Sequence, residues 1–171
     1  SGSDTYIIGE DASVTIIEAV GGGVSDSVET TLGDEASAYD LPDEVEILRY
    51  TGSGNFEGQG NSGDNIIYGA DGDDILRGGS GDDTLFGGAG ADELFGEAGD
   101  DTFIVGDDSF SAGASQTTLA GSTADYTGDM LSGGAGIDTL RFQVEGAEAT
   151  DILPIHGNTT DIERIVLLDD E

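Results

Sequence analysis

The sequence predicts an all-β fold wound as a parallel solenoid, and three observations lead to it. Residues 60–104 fall into five consecutive nine-residue units, beginning at Gly60, Gly69, Gly78, Gly87 and Gly96. Within them three registers stay in phase: Gly in the first and fourth places, Asp or Asn in the sixth, and a large apolar residue in the eighth. Finally, no segment shows a helical period with capping residues, whereas short β-branched and alternating runs recur along the chain.

The elements follow in chain order. Residues 1–59 read as an N-terminal flank of short strands and degenerate repeats. Asp4-Thr-Tyr-Ile-Ile8 has the end of a nonapeptide, with Asp4 in the sixth place and Tyr6 in the eighth. Val14-Thr-Ile-Ile17 is β-branched and fits a strand. Residues 21–29 form a further unit with Asp26 and Val28 in register. Residues 33–44 are acidic, contain Pro42 and read as a loop. Val45–Tyr50 alternates like a half-buried strand, and 51–59 is a degenerate unit leading into the main array at 60–105. Residues 106–123, rich in Gly, Ser, Ala and Thr, read as a loop excursion. The repeat returns over 124–141, complete in Gly133–Arg141. Residues 142–171 would close the roll with capping strands, irregular to 160 and ending in a strand over 161–168.

A nine-residue unit divides into a six-residue turn and a three-residue strand. The turn needs backbone angles that a Cβ disfavours, hence the repeated Gly. In the strand, alternation sends the eighth-place side chain inward. Two units then make one coil, and units two apart stack ~4.8 Å from each other. Ile67, Leu85 and Phe103 should form one inner row, and Leu76 and Leu94 the row facing it. Such a core is thin. At ~25 cal/mol per Å² its burial does not offset the ordering of so many glycines.

Charge indicates what is missing. The chain has 37 Asp plus Glu against 4 Lys plus Arg, a formal net charge of −33 over 171 residues. Nucleic acid and anionic membranes are poor partners for it, and cations are good ones. There is no Cys, so disulfides are not the staple. No apolar run approaches ~18 residues, so no spanning helix is expected. Tight Gly turns expose carbonyls, and the sixth-place residues add carboxylates. Together they offer the all-oxygen shell that the hard cation Ca²⁺ takes. About five bound ions would bring the net charge to roughly −23.

The nonapeptides at 60–104 and 133–141, with weaker copies at 4–8, 21–29 and 128–132, resemble the calcium-binding repeat of RTX proteins. Flanking phrases such as Val45–Gly52 and Ile162-Glu-Arg-Ile165 look like sequence that accompanies such repeats. The resemblance implies a right-handed parallel β-roll (a β-helix or solenoid) with non-repeat β flanks and several Ca²⁺ ions, roughly 3–6 of them. It also implies the ligands. The second- and fourth-place carbonyls and sixth-place side chain of one turn meet the first- and third-place carbonyls and sixth-place side chain of the turn two units later. One site would use Asn61, Gly63, Asn65, Gly78, Ser80 and Asp83. The next would use Ala70, Gly72, Asp74, Gly87, Ala89 and Asp92, and a third Gly79, Gly81, Asp83, Gly96, Ala98 and Asp101. If 106–123 is only an excursion, Glu97, Gly99 and Asp101 pair with Gly133, Ala135 and Asp138, and Asp92 meets Asp129. Asn65 offers a neutral oxygen, so the first site is expected to be the weaker. Fifth-place acids Asp64, Asp73, Asp82 and Asp100 are expected to point outward and serve solubility.

Other signals carry less. Gly58-Gln-Gly-Asn-Ser-Gly63 spells G-x-G-x-x-G, but a strand rather than a helix follows it. His156 is a lone His without a nucleophile motif. Abundant acids fit a glycosidase pair poorly once the ordered ones are assigned to Ca²⁺. Asn158-Thr-Thr160 is a glycosylation sequon, expected to be idle in a bacterial protein. Ser1-Gly-Ser3 and the ending Leu167-Leu-Asp-Asp-Glu171 give the chain the look of a piece of a longer protein. The expected function is a secreted, non-enzymatic Ca²⁺-dependent folding module, which the resemblance links to type I secretion. Two rival expectations are a binding module of an adhesin or surface-layer protein, contacting its partner through 106–123 and 142–160, and an accessory module of an extracellular protease, lipase or polysaccharide epimerase.

Overall fold

A computed structural model describes residues 2–9, 25–31, 39–104, 130–144, 159–162 and 164–169. Among these residues every element is a β-strand, and every pairing is parallel. The strands are β1 (Thr5–Ile8), β2 (Ser27–Thr30), β3 (Tyr39–Asp40), β4 (Ile47–Tyr50), β5 (Glu57–Gln59), β6 (Ile66–Tyr68) and β7 (Ile75–Ser80). They continue with β8 (Thr84–Phe86), β9 (Glu93–Ala98), β10 (Thr102–Ile104), β11 (Met130–Ala135), β12 (Thr139–Val144), β13 (Thr159–Thr160) and β14 (Arg164–Asp169).

From β3 on the chain alternates between two sheets. One has the order β1-β2-β4-β6-β8-β10-β12-β14, the other β13-β11-β9-β7-β5-β3. This is a parallel β-roll. The register is set by the nonapeptide, since Ile67 pairs with Leu85 and Leu85 with Phe103, each one coil apart. The long gap after 104 does not break it, because Phe103 pairs with Leu140 and Leu94 with Leu131. At the other end Val28, Leu48 and Ile67 continue the same row, so the N-terminal strands belong to the same sheet as the array.

The core lies between the sheets. Ile67, Leu85 and Phe103 face Leu76 and Leu94, all fully buried, as the period requires. In the degenerate unit the usual places are exchanged. Phe56 stands in the sixth place and is buried, while Gly58 stands in the eighth. A Cβ at Gly58 would lie 2.7 Å from the Phe56 ring, so that ring occupies the space an eighth-place side chain would fill. It stacks on buried Tyr50 with centroids 4.6 Å apart. On the outer face Arg49 lies over Tyr68, which stacks on Phe86 at 4.4 Å.

Three expectations need correction. Part of the acidic 33–44 segment is not loop, because Tyr39–Asp40 pairs with Gly58–Gln59 and Leu41 is buried behind it. The 142–160 stretch is regular at both ends. The strand β12 runs on to Val144 because β14 pairs with it over six residues, and Thr159–Thr160 pairs with β11. Strands in the second sheet are longer than three residues where β7, β9 and β11 run into the turn. There the turns themselves pair, Gly79 with Glu97 and Gly134 with Glu97. The expected strand at 14–17, the excursion at 106–123 and residues 145–158 lie outside the described residues.

Candidate calcium-binding turns

The turns stack along two edges of the roll. On one edge lie turns 60–65, 78–83, 96–101 and 133–138; on the other lie 51–56, 69–74 and 87–92. The sixth-place side chains Asn65, Asp74, Asp83, Asp92, Asp101 and Asp138 are all buried. A strand starting straight after the turn turns the sixth-place side chain in, beside the backbone of its neighbours.

Each of these carboxylates is held by the coil before it. The Oδ1 of Asp83 accepts the Asn65 N–H at 2.7 Å, Asp101 that of Asp83 at 2.9 Å, and Asp138 that of Asp101 at 2.8 Å. On the other edge Asp74 accepts the Phe56 N–H and Asp92 that of Asp74. The second oxygens of Asp74, Asp83 and Asp101 are buried and take no hydrogen bond. An unsatisfied buried charge of this kind is costly.

The space beside those oxygens is cut to a pattern. A methyl on Gly69 would meet the Asp74 Oδ2 and the Gly87 carbonyl oxygen. Gly78 stands in the same way between the Asp83 Oδ2 and the Gly96 carbonyl, and Gly96 between the Asp101 Oδ2 and the Gly133 carbonyl. Each of these three first-place glycines thus leaves open a gap bounded by a carboxylate oxygen and a carbonyl from the next coil. The second- and fourth-place carbonyls also point at the following coil. Ala70 and Gly72 face Gly88 and Gly90, and Glu97 and Gly99 face Gly134 and Gly136. Third-place carbonyls look back, since Ala89, Ala98 and Ala135 accept the N–H of Gly72, Gly81 and Gly99.

Electrostatics show the strain of this arrangement without a cation. Burial pushes the Asp74 carboxyl up to about 8, with the Asp92 carboxylate one coil on adding to it. Asp83 is pushed up to about 7 and Asp101 to about 6, again by burial first and by the next coil's carboxylate (Asp101 and Asp138 respectively) after it. Among the described residues no three acidic or His side chains converge. A cation here would draw on carbonyls and on two carboxylates at most, the donor set that suits Ca²⁺.

The structure therefore brings together Asp74 with Gly87, Asp83 with Gly96, and Asp101 with Gly133. Asp129 lies outside the described residues, as does whatever it offers to Asp92. Turn 60–65 differs from the others. Its Gly63 N–H bonds the Asn61 Oδ1 instead of the Ser80 carbonyl, and the Asn65 Oδ1 accepts the Asn61 N–H at 2.7 Å. Neither Asn61 nor Gly63 has a positive φ, whereas Gly79 and Gly81 one coil later do.

Some participants were not among the expected ligands. Asp26 is fully buried, its Oδ1 accepts the Asp4 N–H, and its Oδ2 is a buried oxygen without a hydrogen bond. Glu46 accepts the Asp26 N–H and continues the column. The nonapeptide at 21–29 was the signal for Asp26. The Asp161 carbonyl closes the gap beside Gly133 and the Asp138 Oδ2, a role that the strand reading of 161–168 concealed. Fifth-place acids face outward as expected, yet they also bond the next coil. Asp64 accepts the Asp82 N–H, Asp82 that of Asp100, and Asp73 that of Ala91.

Comparison with known families agrees with this geometry. Residues 50–85, 77–109 and 123–141 match the model of the RTX calcium-binding nonapeptide repeat. The chain carries that calcium-binding repeat, on just under half of its length. No curated protein and no solved structure matches it. Among the described residues no helix is long and apolar enough to cross a membrane.

Proposed function

We propose that this chain is a non-catalytic module whose folding is driven by calcium, part of a bacterial protein exported by type I secretion to calcium-rich surroundings. The observation that carries the reading is the set of buried oxygens without hydrogen-bond partners, Asp74 on one edge and Asp83 and Asp101 on the other, in a chain of net charge −33. Stacking coils drives carboxylates into a dry interior along each edge, Asp74 below Asp92 on one and Asp83 below Asp101 on the other. A divalent cation between turns offsets that cost, so its binding free energy becomes folding free energy. At low cytosolic calcium the array stays open and passes readily through a narrow exporter; outside, it closes. Among the described residues the buried carboxylates accept backbone N–H groups and border the gaps between turns, which supports a structural and metal-binding use for them.

A far-UV circular-dichroism titration tests this. Strand signal should be incomplete in excess chelator and grow with millimolar Ca²⁺. A full strand signal in chelator, unchanged by added Ca²⁺, overturns the proposal.

A further inference from the structure

We infer that residues 39–68 form calcium-free coils, closed at turn 60–65 by amide groups where the later turns use a cation, and that these coils are the template on which the array of 69–104 and 130–138 assembles. This rests on the reading of the later turns as calcium-driven.

Three independent features of the segment support it. First, the side-chain amide of Asn61 donates to the carbonyls of Pro42 at 2.8 Å and Val45 at 2.7 Å, and that of Asn65 reaches the Val45 carbonyl at 3.4 Å. These carbonyls belong to the preceding coil, and Pro42 stands in the second place, whose carbonyl in later turns points at the coil that follows. Here N–H donors neutralise them. The Asn61 Oδ1 in turn accepts from Gly63 and from the Asn65 amide, so the cluster satisfies itself. Second, the oxygen beside Gly60 is the Asn65 Oδ1, neutral and already bonded to the Asn61 N–H, where the later gaps have an open carboxylate oxygen. Third, the opposite edge carries Phe56 in the sixth place, and Leu41, Val45, Leu48, Tyr50, Phe56 and Ile67 make six buried apolar side chains in 39–68, against the four of 69–104, Leu76, Leu85, Leu94 and Phe103. Within 39–68 no buried carboxylate oxygen lacks a partner, whereas Asp74, Asp83 and Asp101 each have one beyond it. The segment thus has more apolar burial and no buried carboxylate oxygen without a donor, so it needs no ion. Its last strand, β6, offers a paired edge for β8, and Asn65 offers its N–H to Asp83.

Amide hydrogen exchange on the intact chain, read by peptide in chelator and in Ca²⁺, tests the division. In chelator, amides of β4, β5 and β6 should exchange at least about tenfold more slowly than those of β7 to β10, and in Ca²⁺ both should be protected. Rapid exchange of both in chelator, with both protected in Ca²⁺, overturns this inference and leaves the calcium-driven module intact. Protection of both in chelator overturns the calcium-driven reading, and the division with it. Two variants sharpen the test. Asn61→Ala should lose about tenfold of the 39–68 protection in chelator, through its lost hydrogen bonds. Asn65→Asp should lose it in chelator and recover it in Ca²⁺, because it swaps the amide donor for a carboxylate. Chelator protection unchanged by either substitution rejects the amide closure.

Discussion

Turns 60–65 and 78–83 lie one directly above the other on the same edge, share the first- and fourth-place Gly, and differ in two residues that matter. Where the first has Asn61 and Asn65, the second has Gly79 and Asp83. The pair of amides bonds itself and the carbonyls of the preceding coil. The Gly–Asp turn instead bends through positive φ at Gly79 and Gly81 and leaves the Asp83 Oδ2 without a donor. One backbone path is completed by its own side chains, and the other waits for an ion. The difference shows that the repeat has a fixed shape but two ways of being neutralised.

Perturbations of each side should separate the two. The largest effect is expected from Phe56→Ala, which removes a buried ring at a cost of about 3–5 kcal/mol. It should destabilise the protein in Ca²⁺ and in chelator alike, as measured by thermal melts under both conditions; a loss confined to the Ca²⁺ form would contradict a calcium-free role for 39–68. Asp83→Ala comes next. Its Oδ1 holds the coil before and its Oδ2 faces the gap to the coil after, so the calcium midpoint of folding should rise about tenfold or more. An unchanged midpoint would count against a shared ligand.

The pH dependence in chelator is the third test. The folded carboxyls of Asp74, Asp83 and Asp101 lie at about 8, 7 and 6, above their unfolded value of 3.8. A group raised in this way favours the folded state fully below its unfolded value and loses that contribution as pH rises through its folded one. Calcium-free array structure should therefore be greatest at and below about pH 4 and fade progressively from there to about pH 8, followed by circular dichroism. Strand content that rises with pH over that window would refute the assignment. The smallest effect is expected from Ala70→Gly. Ala70 holds φ 78 in a place where Gly79 and Gly88 also have positive φ, so relief of about 1 kcal/mol should raise the melting temperature slightly in Ca²⁺.

Much of this was legible in the sequence because the period is strict where the structure is regular. Eighth-place Ile67, Leu76, Leu85, Leu94 and Phe103 announced both inner rows, and the Gly–Asp spacing announced the turns. What escaped had a physical reason in each case. Phe56 and Gly58 exchange places, so a pattern search sees a failed unit where a buried ring in fact fills the core. Strand β3 is two residues long and exists only through its pairing with β5. Strands β12 and β14 gain their length from each other across an intervening stretch, a long-range contact that no local propensity shows. The part played by Asn61 depends on Pro42 and Val45, sixteen or more residues away.

The outward acids add a property of their own. Sixth-place carboxylates accept from the coil before them, while Asp64, Asp82 and Asp100 accept from the coil after, the last of these from Ile137. Neighbouring coils are thus clasped in both senses, once indoors and once at the rim. A nearly repetitive chain is prone to misalignment, because a shift by one whole unit keeps glycine on glycine. A shift by a single residue, by contrast, would carry the inner carboxylate outside and the rim carboxylate inside, undoing both clasps together. Paired acids at neighbouring places act in this way as a proofreading device for alignment. At Ile137 the rim clasp receives but has no carboxylate to give, which marks where that second check ends.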